Sequence, residues 1–191
     1  DDLHAILDMS KWAPSGDNSQ PWAITIHSAT QFSLDLTCFK QNTYNLLPMP
    51  DLITTGMFLQ NAAIAAQQRG LDVRWQVEGH TVQAELVAAS ENHTAPLYPY
   101  ITERSVNRYP YRLKPLPAYV KKGVDALLDD DMEIHWFERP AQRWRIAKLL
   151  MLNSDIRLRV PETYPIHRDM IDWNAAASAD PTPAACPGAS R

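Results

Sequence analysis

Apolar residues along this chain recur with two periods, and the change from one to the other marks its elements. Leu3, Ile6 and Leu7 have helical spacing, with Asp2 placed to cap the start and Pro14 to end the helix. Trp22 to Ile26 reads as a strand, and Phe32, Leu34, Leu36 and Cys38 alternate with polar neighbours as in a half-buried second strand. The short link between these two runs predicts a hairpin. Asp51 opens a helix to about Arg69, with Gly70 as its C-terminal cap. Val73, Trp75 and Val77 alternate, as do Val82, Ala84 and Leu86, and Gly79 between them predicts a second hairpin. Val120, Val124, Leu127 and Leu128 mark an amphipathic helix, Asp129–Asp131 a solvated turn, and Glu133 to Phe137 a short strand. Trp144, Ala147, Met151 and Leu158 line one face of a last long helix, stopped by Pro161.

Helices and paired strands in blocks predict an α+β fold. Two antiparallel hairpins should meet in one central sheet, with the helices centred on Ala62 and Ala147 packed against it. Trp75, Trp136 and Trp144 fall on apolar faces and read as core. The expected organisation is one domain over residues 1–174, followed by an Ala- and Pro-rich tail at 175–191.

Composition narrows the function. The chain has 191 residues, 45% of them hydrophobic, and a formal charge of −4. No basic stripe invites nucleic acid. The uncharged run Leu52–Gln68 holds Thr54, Thr55, Gln60, Asn61, Gln67 and Gln68. It is too polar for a membrane span and suits a buried helix or a dimer interface. Cys38 and Cys186 form no CxxC, and two lone thiols fit a reducing, cytoplasmic compartment. The histidines have no metal-ligand spacing, and no GxGxxG, GxxxxGK[ST] or GxSxG is present.

Two segments carry candidate chemistry. Ala13-Pro14-Ser15-Gly16-Asp17-Asn18-Ser19-Gln20-Pro21-Trp22 joins a helix end to a strand start through a polar turn. Its hydroxyls, amides and backbone N–H groups suit the polar atoms of a flavin's ribityl chain or ring edge. Read from the residues alone, an ordinary polar loop is the simpler account. Glu103-Arg104-Ser105-Val106-Asn107-Arg108 sets two arginines four apart. They share a face if the segment is helical and converge easily if it is extended. Paired guanidiniums suit a phosphate, and they equally suit an exposed basic loop.

The first segment resembles the APSxxNxQPW signature of the FMN-dependent nitroreductase family, and the second resembles that family's Arg-Ser-x-x-Arg box. The order of the boxes is that of the Acg-type branch. Thr55-Gly56-Met57-Phe58-Leu59-Gln60-Asn61 resembles the central helix of that branch, and Tyr164 to Pro183 its segment entering a second half. The resemblance implies a nitroreductase-like fold in which Ser15 and Asn18 touch FMN. Arg104 and Arg108 would hold its phosphate, assisted by Ser105 or Asn107. It implies NAD(P)H as electron donor and a small nitro- or quinone-like organic substrate. No side chain is named as a catalytic acid, because the flavin does the redox chemistry. The resemblance also implies a homodimer with flavin at the subunit interface, and a second half that would ordinarily follow this stretch. A flavin-holding protein without turnover, and a structural relic that binds no flavin, are the alternatives.

Overall fold

The structure, a computed structural model, describes residues 1–36, 49–90, 94–107 and 109–170. The chain divides into two compact units, the first built on Asp1–Ser105 and the second on Val106–Asp169.

In the first unit, helix α1 spans Asp2–Ser10 and buries Leu3, Ile6, Leu7 and Ser10. Its cap is Asp1 and not Asp2: the Asp1 carboxylate accepts the Leu3 backbone N–H at 3.0 Å, which makes Asp2 the first helical residue. Ser10 is tolerated in the core because its hydroxyl donates to the Ile6 carbonyl at 2.7 Å. Strands β1 (Ala23–Ile26) and β2 (Gln31–Asp35) form the first hairpin, with Ile24 opposite Leu34 and Ile26 opposite Phe32. Strands β3 (Leu71–Glu78) and β4 (Thr81–Ala88) form the second. Gly79 takes φ 61° in the tight turn between them, a conformation few side chains accept. The hairpins join through β2 and β4, with Phe32 opposite Ala84 and Leu34 opposite Val82. The sheet order is β1-β2-β4-β3, antiparallel throughout.

Alternation decides which face is covered. Phe32, Leu34, Val82, Ala84 and Leu86 share a core with Phe58, Leu59, Ala62, Ala65 and Ala66 of helix α2 (Met49–Gln67) and with the apolar side of α1. The alanines keep α2 slim where it meets the sheet. Thr54 and Thr55 are buried there with their hydroxyls donating to Pro50 and Asp51 carbonyls. Gly70 ends the helix as expected, at φ 71°, its N–H donating to the Gln67 carbonyl. Helix α2 begins two positions before Asp51, at Met49. The expected α+β architecture, a central antiparallel sheet with helices against it, is present. Trp75 is a correction: β3 is an edge strand, so this residue stands 56% exposed although it lies on the core side of the strand. A short helix, α3 (Tyr100–Glu103), buries Ile101 near the end of this unit.

The second unit holds α4 (Ala118–Asp125), α5 (Pro140–Arg159), a 3-10 turn at Pro161–Thr163 and all but the last residue of α6 (Tyr164–Met170). Neither α4 nor α5 buries a residue. The helix centred on Ala147, expected to pack on the sheet, is present as α5 and falls in the second unit. Choosing Trp144, Met151 and Leu158 suggests one face, but Leu149, Leu150 and Leu152 carry apolar side chains round the helix, and all six are exposed. Trp144 is thus surface, with the Lys148 ammonium 5.5 Å from its ring centre. Glu133–Phe137 forms no strand. Side-chain bonds to α4 hold this stretch and its flank instead: Trp136 Nε1 donates to Asp125 at 3.2 Å, and Lys121 to Glu138 at 2.6 Å. Asp129–Asp131 is an exposed turn as expected, and α4 ends before Leu127 and Leu128.

Candidate functional site: a strained polar turn

The Ser15–Gln20 turn is mounted on the core at both ends. Ala13 is buried before it. After it, the Trp22 ring meets Phe58 of α2 at 4.9 Å between centroids, tilted by 44°. Gly16–Asn18 makes one 3-10 turn. Asn18 and Gln20 then adopt φ 55° and φ 44°, with Ser19 right-handed between them. Left-handed backbone costs a residue with a Cβ roughly 1–2 kcal/mol. Asn tolerates it through its short polar side chain, whereas Gln has no such excuse. Conformations of this kind cluster at ligand sites.

The hydrogen bonds decide what the turn has left to offer. The Asn18 N–H donates to the Ser15 carbonyl at 3.1 Å and the Ser19 N–H to the Gly16 carbonyl at 2.9 Å. The Gln20 N–H donates to Ser15 Oγ at 3.2 Å, and the Gln20 amide to Asn18 Oδ1 at 3.2 Å. These backbone N–H groups are spent within the loop and do not form an anion cradle. Among the described groups, those free to donate outward include the Ser15 and Ser19 hydroxyl protons, the Asn18 amide NH₂ and the Gly16 N–H. That set suits neutral polar acceptors, such as carbonyls and ring nitrogens, better than a phosphate.

The arginine segment is laid out differently. Helix α3 ends at Glu103, and Arg104 caps it with extended backbone, so Arg104 does not begin a helical face shared with a second arginine. The side chains of Arg104 and Ser105 are exposed and make no hydrogen bond within the described residues. Asn107 falls in the second unit, where its Oδ1 accepts the Tyr109 N–H at 3.0 Å and shapes the turn before Pro110. Arg108 lies outside the described residues, as do Cys38, Cys186 and the stretch from Asp172 to Pro183.

The open face of the sheet carries a feature that sequence reasoning did not single out. His27, Gln31, Arg74, Gln76, Gln83 and Glu85 line a shallow polar concavity of about 350 Å³. Its residues are the polar partners in the same alternation that marked the core, and that was the available signal. Gln31 donates to Glu85 at 3.1 Å, and the His27 ring meets Ser33 Oγ at 2.8 Å.

Among the described residues, no cluster of His, Cys, Asp or Glu could hold a metal ion. No helix among them is long and apolar enough to cross a membrane. One carboxylate stands out electrostatically. The Lys121 ammonium bonded to Glu138 holds this acid below the usual carboxylate range, helped by the Leu116 N–H and Arg143.

No protein-family model matches the chain, and no curated protein matches it.

Proposed function

We propose that the first unit holds FMN and that the protein is an NAD(P)H-dependent flavin reductase of a small organic substrate. The observation that carries the reading is the Ser15–Gln20 turn. It has the residues of the nitroreductase signature, holds two non-glycine residues at positive φ, and leaves the Ser15 hydroxyl and Asn18 amide free to donate. Trp22 and Phe58 anchor it to the core, which supports the precision that a cofactor contact requires.

In this reading Ser15 and Asn18 donate to the polar edge of the flavin ring. Their own acceptor atoms are tied to Gln20, so the donor direction is set before the ligand arrives. Arg104, exposed and without a partner among the described residues, neutralises the phosphate, with Ser105 beside it in sequence. Bound FMN supplies hydride acceptance and onward electron transfer. The protein's part is to position the ring and to exclude water. Arg108 and Asn107 remain proposed contacts on the strength of the resemblance alone. A symmetric homodimer, a cytoplasmic setting and a small-molecule substrate belong to the same proposal.

FMN and riboflavin titrations followed by flavin fluorescence test it. Arg104→Ala should weaken FMN binding about ten- to a hundredfold and leave riboflavin unchanged, since a charge-assisted contact is worth roughly 1.5–3 kcal/mol. Asn18→Ala should weaken both ligands alike. Absence of FMN binding by the unaltered chain, or equal losses for both flavins on removing Arg104, would contradict the assignment. Stopped-flow mixing with NADH or NADPH then distinguishes turnover from simple storage.

A further inference from the structure

Strand β3 ends the sheet, eight residues long. It contains no proline, one of the devices that usually block an exposed edge. Leu71 and Val73 pack against the core, whereas Trp75 and Val77, next on the same side, are each 56% exposed. On the other side of the strand Arg74 stands opposite Glu85 of β4, but Glu85 accepts from Gln31, and Arg74 makes no ion pair within the described residues. Among the described residues the strand thus presents an unpaired edge, two uncovered apolar side chains and an unneutralised cation.

A second copy of the same strand complements this edge. Antiparallel pairing about a two-fold axis places side chains of the same face opposite each other, so the axis must pass through a residue of the strand. Centred on Arg74, it sets Arg74 against the partner's Arg74. Centred on Trp75, it sets Asp72 against the partner's Glu78. Both oppose like charges, which is destabilising for directly facing residues. Centred on Val73, it pairs Arg74 with the partner's Asp72 but leaves Val77 uncovered. Centred on Gln76, it pairs Arg74 with the partner's Glu78, Trp75 with the partner's Val77, and the two Gln76 residues with each other; within one chain the Gln76 amide donates to one oxygen of Glu78, which leaves the other oxygen for Arg74. The last register satisfies the charge and covers both exposed apolar residues. We propose that β3 is a self-association edge, joining two chains into one continuous eight-stranded sheet about a two-fold axis at Gln76. Helix α2 packs against β3, so this axis places both α2 helices on the same side of the joined sheet.

The test uses the full chain. Sedimentation at micromolar concentration should give a dimer. With Cys38 and Cys186 replaced by serine, Gln76→Cys should form a disulfide-linked dimer under mild oxidation, while Val73→Cys should not. Glu78→Arg, at a residue opposite Thr81 whose carboxylate accepts only from the Gln76 amide among the described residues, should raise the dimer Kd about tenfold or more by opposing Arg74 twice. Adding Arg74→Glu should restore the dimer by exchanging the two charges. Circular dichroism melts verify that each variant is folded. A monomer, a dimer that Gln76→Cys fails to cross-link, or a double variant no tighter than Glu78→Arg would overturn the proposal. If a charge variant does not fold, the cross-linking pair decides.

Discussion

The two units use apolar residues in opposite ways. In the first, Phe32, Leu34, Phe58 and Ile6 are fully buried, and helix, sheet and turn share one core. In the second, Leu113, Leu127 and Leu158 are each more than three-quarters exposed, and Thr163 is the sole buried residue among those described. Hydrophobic burial is the dominant favourable term in folding. The first unit thus has an internal reason to hold its shape. The helices of the second are kept by backbone bonds and a few polar ties, such as Lys121–Glu138 and Trp136–Asp125. A cofactor contact requires a fixed support, and the Ser15–Gln20 turn sits on the unit that provides one.

Truncating one large side chain in each unit should separate the two most clearly. Phe58→Ala removes a fully buried ring and the surface on which Trp22 rests, and should cost about 3–5 kcal/mol in denaturant unfolding. Leu150→Ala in α5, at a residue 60% exposed, should stay within about 0.5 kcal/mol. Similar losses for the two would show that α5 is buried after all. A smaller effect concerns the turn itself. Asn18→Val places a β-branched residue at φ 55° and should destabilise by roughly 1–2 kcal/mol. Gln20→Gly relieves its own strain and should leave the melting temperature level or slightly higher. A marked loss on Gln20→Gly would mean that the Gln20–Asn18 bond, and not the backbone conformation, defines the turn.

The smallest expected effect is one of pH. The folded protein holds Glu138 below the ordinary carboxylate range, chiefly through Lys121. Its contribution is therefore present above the unfolded pKa and is lost as pH falls through the lowered folded value. Unfolding curves of Glu138→Gln should show a shallower decline in acid than those of the unaltered chain. Parallel acid declines would remove Glu138 from the account.

How much was legible in the sequence follows the same division. Both hairpins could be read because strict alternation at Phe32-Leu34 and Val82-Ala84-Leu86 answers to a single covered face. Helix α2 could be read because burial spares it charge. Helix α5 could be read as a helix stopped before Pro161, but not as one with a single apolar face, because the leucines at 149, 150 and 152 spread round it. Edge position is not written in a strand's own residues, so Trp75 looked like core. In the candidate site, the residue types Ser15, Asn18 and Arg104 were visible. The left-handed Gln20 was not, since glutamine carries no turn preference. The spending of the loop's N–H groups on Ser15 and Gly16 was equally hidden, because it depends on geometry alone.

One unit carries the stable core, and the candidate cofactor turn rests upon it. Native-state hydrogen exchange on the intact chain, resolved by residue and measured with and without FMN, tests it directly. Amides of β2, β4 and α2 should exchange only through global unfolding, while those of α4 and α5 should exchange through low-energy local opening. Added FMN should slow exchange around Gly16–Gln20. Equal protection in α5 and α2, or an FMN effect confined to residues beyond Ser105, would contradict the account.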